Sequence, residues 1–171
     1  MFGMNNLQQK RQDDAKQVVD SYVADITAFS KKLSDGGMNY SNYQDAIQEY
    51  TQQRDFFIQR TNALIGYLNR NADLYETESL EGMLRWLEEN KTYLRNVGTG
   101  LDQQKGFYES FTSEKDYTLY DTYKDTSAAE LRELAKTAED WETRDWMESR
   151  AAGGKGLKSP GRMVLMVQHR G

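Results

Sequence analysis

The sequence has no cysteine, one proline and one histidine in 171 residues. Without cysteine there is no disulfide framework and no thiolate nucleophile. One histidine and no cysteine cannot assemble an ordinary zinc or haem site. A Ser–His couple would have to use His169, which lies in a glycine-rich terminal stretch poorly suited to holding a catalytic geometry. Long apolar runs are absent too. The longest, Met163 to Val167, is far too short to cross a bilayer. Val and Ile together number only 10, and no stretch of the body alternates apolar and polar like a half-buried strand. Leu, Ile, Val and Phe make up 31 residues, few enough that disorder competes with folding. Against disorder stand 20 aromatic residues and a net charge of only −5.

Charge is distributed unevenly. Residues 1–70 hold 8 acidic and 8 basic groups, residues 71–150 hold 19 and 10, and residues 151–171 hold 4 basic groups and no acidic one. An acidic body disfavours nucleic acid, where affinity comes from neutralising phosphates. The N-terminus, Met1-Phe2-Gly3-Met4-Asn5-Asn6, turns polar at once, so no signal peptide is read and a virion or bacterial cytoplasm is the expected setting.

What is present is helical periodicity. Ala15, Val19, Tyr22, Ile26, Phe29 and Leu33 recur at alternating spacings of 4 and 3, a heptad seam that Val18 and Val23 widen. The helix should stop at Ser34-Asp35-Gly36-Gly37. A second should open with a capping box at Ser41-Asn42-Tyr43-Gln44. Its stripe reads Tyr43, Ile47, Tyr50, Arg54, Phe57, Thr61, Leu64 and Leu68, with Arg54 and Thr61 interrupting the apolar seam. Two such helices joined by a tight Gly-Gly turn predict an antiparallel hairpin. A third helix is expected from Thr77–Glu81, carrying Leu80, Leu84, Leu87, Leu94 and Leu101 in one register. That shared register predicts continuation through Gly98 and Gly100 to Tyr108 and Phe111.

Beyond Phe111 the helices shorten. Ser113-Glu114-Lys115-Asp116 and Ser127-Ala128-Ala129-Glu130 are cap signatures, and a last acidic helix should carry Trp141 and Trp146 and end near Ala151–Gly154. The expected organisation is all-α: an elongated hairpin or bundle over 1–111, a small cap of short helices over 112–152, and a flexible basic tail over 153–171. The Met163–Val167 run of that tail could form a short strand with no visible partner.

No reactive constellation emerges. Gly153-Gly154-Lys155-Gly156 lacks the spacing and preceding strand of a phosphate-binding loop. Asp13-Asp14 and Glu88-Glu89 are adjacent carboxylates on solvated faces without EF-hand spacing. The 27 acidic residues offer many pairs for glycoside cleavage, but none is singled out. Tyr43, Tyr50 and Phe57 lie seven apart and could stack single-stranded bases, yet their neighbours form no basic groove. Packing is the better reading of such rings. The residues expected to carry function are therefore packing and interface residues: Val19, Tyr22, Ile26, Phe29, Ile47, Tyr50, Phe57, Leu64, Leu84, Leu87, Trp141 and Trp146. No enzyme activity, metal or cofactor is expected.

The stretch Leu101-Asp102-Gln103-Gln104-Lys105-Gly106-Phe107-Tyr108-Glu109-Ser110-Phe111-Thr112-Ser113-Glu114-Lys115-Asp116-Tyr117 resembles segments of long helical virion proteins of tailed bacteriophages and prophages, tape-measure-like and related internal or tail proteins. Ser127-Ala128-Ala129-Glu130-Leu131 followed by Glu142-Thr143-Arg144-Asp145-Trp146 resembles the short-helix unit that follows in such chains. The likeness covers residues 40–151 and consists of texture and short phrases. It implies a fragment of a structural protein that assembles, as a homo-oligomer or with other virion proteins, by helix packing. The alternative from the residues is a bacterial helical-hairpin adaptor or secretion-associated binding protein. Its Trp-x-Gly variety is disfavoured, because the turn here is Asp35-Gly36-Gly37.

Overall fold

The computed structural model of the protein describes residues 2–153, with side chains from Asn6 onward. Among these residues every regular element is helical, as expected: α1 (Phe2–Asp35), α2 (Tyr43–Arg70), a single 3-10 turn (Ala72–Leu74), α3 (Thr77–Glu109), α4 (Glu114–Tyr123), α5 (Ala128–Ala135) and α6 (Trp141–Ala151). The basic tail from Gly154 onward, with its suggested strand at 163–167, lies outside the described residues.

Local chemistry sets the helix ends. α1 stops because Gly36 and Gly37 take φ of +75° and +99°, where a side chain would be strained. α2 does not open with the expected Ser41–Gln44 box. The Asn39 side-chain oxygen instead accepts from the Ser41 and Asn42 N–H groups and from the Ser41 hydroxyl, while the Asn42 oxygen accepts from the Asn39 N–H. The helix starts at Tyr43, one residue later than a Ser41 cap requires, and asparagine, the stronger turn former, closes the loop before it. Ser113 and Ser127 cap α4 and α5 as expected, accepting from the N–H groups of Asp116 and Glu130. Asp140 caps α6 in the same way through the Thr143 N–H.

The chain divides into two compact units, one of 2–37 with Ile47–Leu101, the other of Met38–Ala46 with 102–153. This differs from the expected boundary after residue 111. Residues 102–111 and the loop before α2 group with the short helices because their rings do. Tyr43 stacks on Tyr108 at 5.0 Å, Tyr40 on Tyr117 at 5.6 Å, and Phe111 meets Tyr117 edge-on at 5.3 Å.

In the first unit the helices run up, down and up. Lys32 pairs with Glu49, Phe29 packs on Phe57, Arg60 reaches Asp25, and Arg11 makes a two-pronged bond to Asp73. Partner numbers thus rise along one helix as they fall along the other, the signature of an antiparallel pair. Met83 lines the same hollow as Ala15 and Val19, Tyr22 meets Trp86 edge-on and accepts from Asn90, and Tyr93 lies beside Ser30, so partner numbers rise together and α3 runs parallel to α1. All six residues of the α1 seam are buried, and α3 contributes Met83, Trp86, Leu87, Tyr93, Leu94, Val97 and Leu101.

α3 does run through Gly98 and Gly100, as its register predicted, and ends at Glu109, just short of Phe111. The first glycine has a positive reason to be there. A Cβ on Gly98 would sit 2.8 Å from the Arg54 guanidinium, whose Nε donates to the Leu94 carbonyl at 2.8 Å.

In the second unit a separate core forms from Leu131 and Ala135 of α5 with Met147 and Ala151 of α6, flanked by Tyr123, Ala138 and Trp146.

Candidate interaction surface

The seam residues expected to carry function divide by burial. Val19, Tyr22, Ile26, Phe29, Phe57, Leu64 and Leu87 are buried inside the first unit. Ile47, Tyr50 and Leu84 are half-buried at its margin. The Tyr50 ring lies 5.5 Å beneath the Lys32 ammonium, itself paired with Glu49. That pairing holds Lys32 above and Glu49 below their ordinary pKa ranges. The heptad faces of the first unit are therefore satisfied within one chain, not presented to another copy.

Of the two polar residues that interrupt the α2 seam, Arg54 is half-buried and Thr61 is fully enclosed, as is Asn90 of α3. Thr61 is 0% exposed and Asn90 1%, and together with Tyr22 they form a hydrogen-bonded line drawn from all three helices. The Thr61 hydroxyl donates to the Phe57 carbonyl at 2.6 Å. Its single proton being used, Thr61 must accept from the Tyr22 hydroxyl, 2.7 Å away. Tyr22 in turn accepts from the Asn90 amide at 3.3 Å. Burial raises the Tyr22 pKa, so the neutral donor form is the one favoured. Thr61 stood in the sequence as a break. Its position in the heptad register was the available signal that it is a core member.

The second unit carries a cleft of about 590 Å³ between the start of α4 and the face of α6. Long polar side chains span it. Lys115 of α4 bonds Asp140 at 3.0 Å and Glu142 at 3.2 Å. The Trp146 indole N–H donates to Asp116 at 2.9 Å. Arg150 lies over the rings of Tyr120 and Trp146, at 5.0 and 5.3 Å from their centroids.

Trp141, expected as a packing or interface residue, sits on this cleft and is 73% exposed, so it belongs to neither core. Trp141 is the first residue of α6, more than a turn before the buried Met147 and Ala151, and it is not among the residues packed on that core. Trp146, one position from Met147, is half-buried as a packing residue should be.

No family model, curated protein or solved structure matches this chain. What the surface can do must be read from its residues alone. Its volume is in the range of ligand clefts, with an exposed indole on it and fixed charges beside it. No helix among the described residues is long and apolar enough to cross a membrane.

One edge of this surface responds to acid. Asp140 accepts the Thr143 N–H at the α6 cap and pairs with Lys115, which together pull its pKa from 3.8 to about 2. A carboxylate depressed by folding stabilises the fold above its ordinary pKa, and that contribution disappears as pH falls from about 4 through about 2. Asp140→Asn keeps a capping side chain but cannot titrate. Thermal melts of the two proteins should therefore show a midpoint gap in favour of wild type at neutral pH that closes over this window. A gap independent of pH would refute the assignment.

Proposed function

We propose that this chain is a non-enzymatic structural and assembly module, set in a phage virion or tail as its sequence likeness suggests. It acts by presenting helix surfaces to copies of itself or to neighbouring proteins. The observation that carries the reading is what is left outside once the cores are filled. Trp141, Leu7, Phe56 and Val18 stay exposed, at 73%, 65%, 57% and 40%. Aromatic side chains of this kind are enriched at protein interfaces. The heptad seams serve as the internal frame, so assembly uses these outer residues. The preponderance of carboxylates keeps unassembled chains apart.

Sedimentation velocity over a wide concentration range tests this. The expected result is reversible self-association, weakened by Phe56→Ser and by Trp141→Ser, both surface changes that leave the melting temperature in place. A strict monomer throughout would overturn the self-assembling reading in favour of the adaptor.

A further inference from the structure

We propose that the α4–α6 cleft receives an arginine-bearing segment of a partner polypeptide, the guanidinium lying over Trp141 beside Asp145. This deepens the interaction reading above by naming the chemistry of the partner.

Most charges of the cleft are already used. Lys115 is committed to Asp140 and Glu142. Asp116 accepts from the Trp146 indole with one oxygen and from the Thr112 N–H and hydroxyl with the other. Glu142 is answered by Lys115. Asp145, which also lines the cleft, has no hydrogen bond or ion pair among the described residues. It stands four residues after Trp141 on α6, so the two side chains are neighbours on one helix face. An open indole with an unanswered carboxylate one turn away is a cation-binding pair. A guanidinium can stack flat on the ring while donating to the carboxylate, which a compact ammonium does less well.

The protein already makes half of this arrangement internally, with Arg150 seated over Tyr120 and Trp146 in the same cleft. The wider field has the matching sign. Residues 38–46 and 102–153 hold 14 acidic and 7 basic side chains, which attracts basic segments from a distance. The cleft also has room for more than one side chain, and Leu119 and Trp146 on its lining give the flanking residues of such a segment apolar contact.

The test uses the full chain and a fluorescein-labelled peptide of alternating arginine and serine, followed by fluorescence anisotropy at fixed salt. A glutamate–serine peptide serves as the charge control. The expected result is saturable binding of the arginine peptide alone. Trp141→Ala and Asp145→Asn should each weaken it by about fivefold or more. Glu130→Gln, which removes the same charge from an exposed position of α5 outside the cleft, should leave it within about twofold. Because both cleft residues are exposed, circular dichroism should be unchanged in every variant. The proposal is overturned by absence of binding, by Trp141→Ala binding as tightly as wild type, or by Glu130→Gln weakening binding as much as Asp145→Asn. A chain that self-associates but ignores the peptide loses only this inference. A strict monomer that binds the peptide loses only the self-assembly reading.

Discussion

Ile26→Asp should unfold the first unit or destabilise it by more than about 4 kcal/mol, the largest single-residue effect expected in this protein. Ile26 is 0% exposed and lies midway along the α1 seam, between Tyr22 and Phe29. The substitution removes a buried aliphatic, which alone is worth about 2–5 kcal/mol when truncated. It also places a carboxylate where no cation is at hand. Arg60, which reaches this stretch of α1, is already bonded to Asp25, and both side chains are partly exposed. A buried unpaired carboxylate responds by taking up a proton, so the defect should be partly relieved at low pH. Ile26→Ala separates the two contributions, since it opens a cavity without introducing a charge. The expected order of thermal midpoints at neutral pH is wild type, then Ala, then Asp, with the Ala–Asp gap narrowing as pH falls. Equal midpoints for Asp and wild type would mean that the seam is not a core.

The parts of this fold that were legible in the sequence are those where apolar spacing and burial coincide. Every seam residue of α1 is buried, and the caps at Ser113 and Ser127 form as their spacing implied. Three features were not legible. Asn90 lies outside the leucine stripe of α3, yet it is a core residue, because its amide has a partner on another helix that only the tertiary register supplies. Gly98 reads as a weak point in α3, yet it is the place where Arg54 of α2 lies against the helix and bonds the Leu94 carbonyl. Trp141 reads as an anchor by composition. Its exposure follows from its place at the first residue of α6, before the turns that carry Met147 and Ala151, and the sparse apolar residues of that helix leave its core face undetermined in the sequence. The candidate surface was hardest to anticipate, because a cleft between two short helices is defined by side chains far apart in sequence, such as Asp116 and Trp146.

Truncating Tyr22 is the second large effect, and a graded series shows what the buried polar line contributes. Tyr22→Ala removes a ring that meets Trp86 edge-on at 5.6 Å and should cost about 3–5 kcal/mol, as truncating a large core aromatic does. Tyr22→Phe keeps that ring contact and deletes only the hydroxyl. The Asn90 amide then loses its acceptor and Thr61 its donor, in a site with no access to water for either. That change should cost about 1–3 kcal/mol, the penalty for stranding buried polar groups. Replacing all three members, with Tyr22→Phe, Thr61→Val and Asn90→Leu, removes the stranded groups along with the bonds. The triple variant should therefore recover most of the loss seen in Tyr22→Phe, in spite of carrying more changes. Its amide proton spectrum should nonetheless broaden or double, because an all-apolar layer no longer fixes how three similar helices align. Chemical denaturation of the four proteins, read with their spectra, decides the matter. A Tyr22→Phe protein as stable as wild type would show that the polar line carries no energy. A triple variant with sharp single resonances would show that it does not set the alignment.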